Sequence, residues 1–169
     1  MAAATSFSLT YSTHNLRRPI LQALDSTGTA VAQHTPGYTT TDQDGREWEY
    51  VQFDSSGVAA VAGAPAVWAQ TTTNKVVTSD VSDASELGEG FAGVFMSVLT
   101  DQYYGWIQTK GKVLARCSTT AVGCSITIGA ADSIFSLCTP GTASEPVGVC
   151  IEASSITVPS FPNVMLLDK

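Results

Sequence analysis

Gly93-Val-Phe-Met-Ser-Val-Leu99, then Thr100-Asp-Gln-Tyr103, then Tyr104-Gly-Trp-Ile-Gln-Thr-Lys-Gly-Lys-Val-Leu-Ala-Arg116, is the stretch on which the fold turns. Two apolar, β-prone runs flank a short polar linker, which is the pattern of a β-hairpin. The second run continues past Gly111, a residue that lets a strand interior bend or bulge. We therefore place this hairpin at the centre of a small all-β domain.

Working outward, the same texture repeats. Downstream, Val122 to Ile128, Ser133 to Cys138, Val147 to Glu152, Ser154 to Val158 and Val164 to Leu167 are short β-like runs. Between them lie the turn Gly129-Ala-Ala-Asp132 and the loop Thr139 to Pro146. Upstream, Arg46-Glu-Trp-Glu-Tyr-Val-Gln-Phe53 alternates, with Trp48 and Tyr50 on one face and Val51 and Phe53 on the other. Val58 to Val61, Ala66 to Ala69 and the Thr- and Val-rich run Thr71 to Thr78 follow. Ser79 to Gly88 carries capping and stop residues and is expected to form one helical turn or none. Ala92 to Ser97 resembles Val147 to Glu152, and both are expected as core strands. About ten short runs with turns roughly every 8 to 12 residues predict an antiparallel β-barrel or sandwich. Connections this short favour antiparallel neighbours.

Residues 1 to 46 read differently, as an extended N-terminal arm preceding a single β-domain over 47 to 169. Phe7, Leu9 and Tyr11 alternate with polar residues, then Pro19 after Arg17-Arg18 breaks the pattern. From Thr35 to Gly45 the chain is polar, rich in turn residues and without periodicity, which predicts a long loop or extended segment. Such an arm suits ordering on a neighbouring subunit.

Composition bounds the partners. The chain has 169 residues, enough for one well-cored domain. Charged residues are 14%, below the roughly 25% of ordinary soluble domains, leaving much surface to Ser, Thr, Gly and Ala. That surface suits broad protein contacts. A net charge of -7 argues against nucleic acid as the main partner, since phosphate neutralisation needs clustered Lys and Arg. Arg17-Arg18 is the one basic pair: solvated charges, or an anchor onto an acidic partner surface. No run is apolar over the roughly 18 residues a membrane helix needs, so no membrane partner is expected. The first residues lack the features of a signal peptide, which points to a cytosolic origin.

Few residues are spaced for catalysis or metal binding. His14 and His34 lie in the arm and the polar loop, with no neighbouring acid to orient them. There is no G-x-S-x-G, H-E-x-x-H, P-loop or G-x-G-x-x-G. Asp42-Gln-Asp44-Gly45 has a faint look of a calcium loop but lacks the remaining ligand spacing and the terminal Glu, so it reads as a turn. Cys117, Cys124, Cys138 and Cys150 have no C-x-x-C spacing; they read as small buried hydrophobes, with disulfides the alternative. We expect no catalytic, cofactor-binding or metal-ligating residues, and no enzyme activity. Trp48, Trp68, Trp106, Tyr103 and Tyr104 could form a carbohydrate platform, but aromatics at alternating strand positions more often serve core or subunit interface. Tyr103 and Tyr104, at the hairpin tip, are the best candidates for exposure.

At the hairpin a resemblance becomes nameable. The glycine-led strand Gly93 to Leu99, the aromatic strand Tyr104-Gly-Trp-Ile-Gln108, the Gly111-Lys-Val113 continuation and the Gly129-Ala-Ala-Asp132 turn resemble small capsid decoration (cement) proteins of tailed bacteriophages. The likeness spans about residues 90 to 152; residues 1 to 50 match no family. It implies a β-rich structural protein, often a homotrimer, on the outside of an icosahedral virion. Such a protein clamps neighbouring major capsid proteins against internal pressure and is assembled in the host cytoplasm. The alternative within the virion is a receptor- or glycan-binding head fibre or spike module. Candidate capsid or subunit contacts are Phe7, Leu9, Tyr11, Arg17, Arg18, Tyr38, Tyr103 and Tyr104.

Overall fold

A computed structural model describes residues 30–55, 57–69, 75–81, 90–118, 121–138, 145–152 and 161–167. They form ten strands: β1 (Thr39–Thr41), β2 (Glu47–Phe53), β3 (Pro65–Trp68), β4 (Val76–Thr78), β5 (Phe91–Phe95), β6 (Tyr104–Leu114), β7 (Ser125–Ile128), β8 (Phe135–Leu137), β9 (Gly148–Cys150) and β10 (Asn163–Leu166). The all-β expectation is met. No helix among the described residues is long and apolar enough to cross a membrane.

The hairpin of the opening stretch is present. β5 and β6 are antiparallel, with Val94 opposite Gln108 and Phe95 opposite Ile107. Its connection is longer than the sequence pattern suggests, because the strand ends at Phe95 and residues 96–103 form the loop. β6 also pairs with β2, so β2, β4, β3, β5 and β6 close into a five-stranded barrel. One seam of this barrel departs from expectation: β2 and β4 run parallel. β3 lies between them in sequence and gives the chain the length to return in the same direction, which a tight turn cannot do.

β6 does not stop at the barrel. Its C-terminal half, Gly111 to Leu114, pairs with β10, which leads through β9 and β7 to β8. β8 then meets the chain just beyond β6. Phe135 N donates to Arg116 O at 2.8 Å, and Ser118 N donates to Phe135 O at 2.9 Å, around a parallel bridge between Cys117 and Phe135. A second ring of strands thus curls back onto the continuation of the strand it started from. The described residues form two small β-rings threaded on β6.

A strand can serve both rings only if it turns between them. Two irregularities provide that turn. Against β2 the register slips, with Trp48 opposite Gln108 but Glu47 opposite Lys110, so Thr109 is the extra residue of a bulge. Two residues on, Gly111 has φ +90, a conformation that L side chains rarely adopt. The expected bend at Gly111 is where the strand leaves one ring for the other. Gln108, fully buried, fastens it: its side-chain Nε2 donates to Lys110 O at 2.9 Å and to Lys112 O at 3.0 Å.

Each ring has its own core. The first is filled by Val51, Phe53, Val77, Phe95, Leu99 and Ile107 with several alanines. The second is filled by Val113, Cys117, Ile126, Phe135, Cys150, Val164 and Leu166. Phe91 and Val94 of β5 belong to the second cluster, although β5 is a strand of the first ring. The rings are therefore packed on each other as well as joined by β6. The Gly129–Asp132 turn helps, since Val81 N donates to the Asp132 carboxylate at 3.0 Å and Ser133 Oγ to Ala59 O at 3.3 Å. The two sequence-similar strands, β5 and β9, are both core strands. They hold different places, since β5 adjoins β6 and β9 does not.

Residues 35–45, read from sequence as loop, contain β1. It pairs antiparallel with β2, Thr40 opposite Trp48. The boundary drawn at residue 46 therefore falls inside a hairpin. The turn that joins the two strands is held by side-chain hydrogen bonds. Asp42 accepts from four N–H groups: the backbone of Asp44 and Arg46, the Arg46 guanidinium and the Trp48 indole. Gly45 closes the turn by donating to Asp42 O at 3.1 Å. Three short threonines carry no apolar alternation, so side-chain patterning could not reveal the strand. Asp42-Gln-Asp44-Gly45 is the turn expected of it. Val58 to Val61 forms no strand. The expected helical turn over 79–88 and the run 154–158 lie largely or wholly outside the described residues.

Candidate interaction surfaces

Two surfaces stand out, one on each ring. On the first, β2 and β6 turn Trp48, Tyr50, Tyr104 and Trp106 to the face opposite the core, as strand alternation requires. The register places Tyr50 beside Trp106 and Gln52 beside Tyr104. The outcome is an aromatic cluster: Tyr50 and Tyr104 stack with centroids 6.0 Å apart, and Tyr50 meets Trp106 edge-on at 5.3 Å. The segment 30–38 lies over this face. Gln33 N donates to the Tyr50 hydroxyl, and Tyr50 N donates to Tyr38 O. His34 sits among the rings, stacked on Tyr38 at 5.4 Å and edge-on to Tyr50 at 5.2 Å. His34 is thus a packing residue of an aromatic cluster, and Tyr38, 46% exposed, is the ring this cluster presents to solvent.

The second surface is the outer face of the second ring. Leu114, Met165 and Ile151 point away from its core, and Phe161 precedes β10. Leu114, 51% exposed, and Phe161, 45% exposed, line an apolar groove of about 220 Å³ with Ala62, Gly63 and Met96. On β6 and β10, Leu114 faces Asn163 and Met165 faces Lys112, so the two apolar side chains are diagonal neighbours. The charge alongside is neutralised locally, Lys112 pairing with Glu152 at 3.0 Å.

The residues singled out from sequence fall into three groups. Phe7, Leu9, Tyr11, Arg17 and Arg18 lie outside the described residues. Tyr38 and Tyr104 are brought together through Tyr50, Trp106 and His34. Tyr103 is separate: its carbonyl accepts from Phe53 N at 2.7 Å at the end of β2. Neither Tyr103 nor Tyr104 is an exposed tip residue; both are half-buried. The exposed part of the turn is Asp101-Gln102, held by Ser55 N donating to the Asp101 carboxylate at 2.7 Å. The apolar groove was missed because its parts come from separated loops and strand ends. Leu114 and Met96 belong to runs that read as strands, but Met96 falls in a run expected in the core and follows the end of β5.

Comparison with known proteins returns little. No family model matches the chain, and no curated protein matches it. Among solved structures, the N base of the head fibre gp8.5 of bacteriophage phi29 is similar at a TM-score of 0.47 and 10% sequence identity, over 71% of this chain and 92% of that one.

Proposed function

We propose that this chain is a structural subunit of a bacteriophage virion. In this reading it is a capsid decoration protein that binds the outside of the major capsid shell, self-associates as a trimer and needs no catalysis. The observation that carries the reading is the placement of the residues that resemble decoration proteins. They lie on β5 and β6, the hairpin that helps close the first ring and leads into the second, and in the turn between β7 and β8. The outer face of the second ring then offers Leu114, Phe161 and Met165 with little net charge, the composition of a surface that another protein covers. A clamp of this kind stabilises the shell by mass action, because it binds the assembled state and not the free subunits.

The test is binding of the purified protein to expanded shells. Saturable binding and greater survival of decorated shells on heating are expected. Leu114→Lys with Met165→Lys should weaken binding at least about tenfold while the far-ultraviolet spectrum stays unchanged. Failure to bind any shell refutes the reading. The aromatic cluster around Tyr38 favours a second reading, a glycan-binding head module, since stacked rings beside an exposed tyrosine suit the apolar face of a sugar. Binding to host polysaccharide that Tyr38→Ala abolishes, with no shell binding, would establish it. Removal of residues 1–29 tests the arm, whereas a cut at residue 40 would also strip the cover from Tyr50 and Trp106.

A further inference from the structure

All four cysteines lie in the second ring, and Cys138, opposite Ser125 at the end of β8, takes the side of the sheet away from Ile126. Ser125 pairs with Val149 and Ile126 with Gly148, which puts Cys124 directly opposite Cys150 in the same antiparallel register. The backbone agrees, because Cys150 N donates to Cys124 O at 2.9 Å and Gly123 N donates to Cys150 O at 2.8 Å. Gly123 has φ +79 and is the third residue of a turn closed by Cys124 N donating to Ala121 O at 3.1 Å. This is a glycine bulge, in which two residues of one strand face one of the other. The residue after the glycine resumes the alternation, so Cys124 shares the side of Ile126. Ile126 and Cys150 both point into the core of the second ring.

We infer that Cys124 and Cys150 are a cross-strand thiol pair that closes to a disulfide when the folded protein meets a small-molecule disulfide such as oxidised glutathione. Directly opposed residues of an antiparallel pair have Cα atoms about 4.5–5.5 Å apart, inside the range a disulfide spans without backbone movement. The two cysteines also differ in access. Cys124 is half-buried and reachable from solvent, while Cys150 is fully buried. The exchange therefore begins at Cys124. Its thiolate attacks one sulfur of oxidised glutathione, and one glutathione thiolate leaves. The Cys150 thiolate then attacks the Cys124 sulfur of the mixed disulfide and expels the second glutathione. Two protein thiols lose two protons and two electrons, and one glutathione disulfide becomes two thiols. The second step is the slower one, because burial disfavours the attacking Cys150 thiolate. Burial and the neighbouring Cys124 charge both push the Cys150 thiol up, and the second influence disappears once Cys124 carries glutathione.

Cys117 is the competitor, since it also lies in this core close enough for its thiol to feel Cys150. It sits beyond β6 and bridges to Phe135, not to β9, so no strand register holds it against Cys150. The experiment is equilibration of the folded full chain with a glutathione redox buffer, an alkylating quench, then intact mass and non-reducing peptide mapping. Titratable thiols under denaturing conditions should fall from four to two, with one peptide pair joining Cys124 to Cys150. Cys124→Ser, at a half-buried position, should fold and keep its three thiols in the same buffer. Retention of four thiols, a glutathione adduct that persists on Cys124, or a link from Cys117 to Cys150 would each overturn the assignment. So would loss of two thiols in Cys124→Ser.

Discussion

Replacing Gln108 by Met removes the fastening of the bend that joins the two rings. The substitution keeps an unbranched side chain of similar length in a site that is 0% exposed. It deletes two hydrogen bonds, from Nε2 to Lys110 O and to Lys112 O. A carbonyl that loses a buried donor costs about 1–3 kcal/mol, so two cost roughly 2–6 kcal/mol. An offset comes from the other side of the amide. Gln108 Oε1 is buried without a hydrogen-bond partner, and a thioether in its place relieves about 1–2 kcal/mol of desolvation. The expected net loss is therefore about 1–4 kcal/mol, a fall in Tm of roughly 3–12 °C for a chain of this size. Urea unfolding monitored by tryptophan fluorescence measures it directly, because Trp48 and Trp106 lie on the same face of the sheet as Gln108. Gln108→Glu sharpens the test. At neutral pH its carboxylate faces two carbonyl oxygens, so it should be less stable than the Met variant. The charged form is disfavoured in the folded state, which raises the folded pKa above the unfolded one. Stability should accordingly be recovered as pH falls, opposite to the usual carboxylate. A Met variant within about 0.5 kcal/mol of the parent, at an unchanged m-value, would show that the bend does not depend on Gln108.

Further expectations concern other parts of the fold. In Gly93→Ala the new Cβ would lie 2.7 Å from Gln108 O, a backbone atom of β6 that cannot rotate away, so a loss of about 3 kcal/mol or more is expected on thermal unfolding. Burial works to raise the Asp42 carboxyl, but the hydrogen bonds and charge of Arg46, with the Asp44 amide, outweigh it and leave it below the usual carboxylate range. Its stabilisation is thus present above the unfolded carboxylate pKa and is lost as pH falls through the lower folded value. Asp42→Asn should cost about 1–3 kcal/mol at pH 7, and the gap from the parent should close on acid titration below about pH 4. The Cys117 thiol is pushed up to about 12, first by burial and then by Cys150, so a thiol reagent at pH 8 should modify it only as fast as the protein unfolds. Fast labelling of Cys117 in the native state would refute its placement in the core.

Much of this architecture is legible without a structure because strand alternation is a local property. Trp48, Tyr50, Val51 and Phe53 sort to their faces by period two alone, and Gly111 marks the bend because so few residues tolerate its backbone conformation. The content of the chain in short strands, the hairpin at its centre and the turn at Asp42 to Gly45 were determined in this way. The parallel seam between β2 and β4 was not, because it depends on where β3 packs. Nor was β1, whose threonines pair through backbone groups that side-chain patterning does not record. The pairing of β6 first with β2 and β5 and then with β10 is a matter of tertiary structure alone. Closure of a ring brings together residues far apart in sequence, and only the summed burial of two cores decides which edges meet. The same holds for the surfaces. Leu114 and Phe161, Tyr38 and Trp106, and Cys124 and Cys150 are each separated by loops whose paths no periodicity encodes, and each pair becomes neighbours only when the strands that carry it have paired.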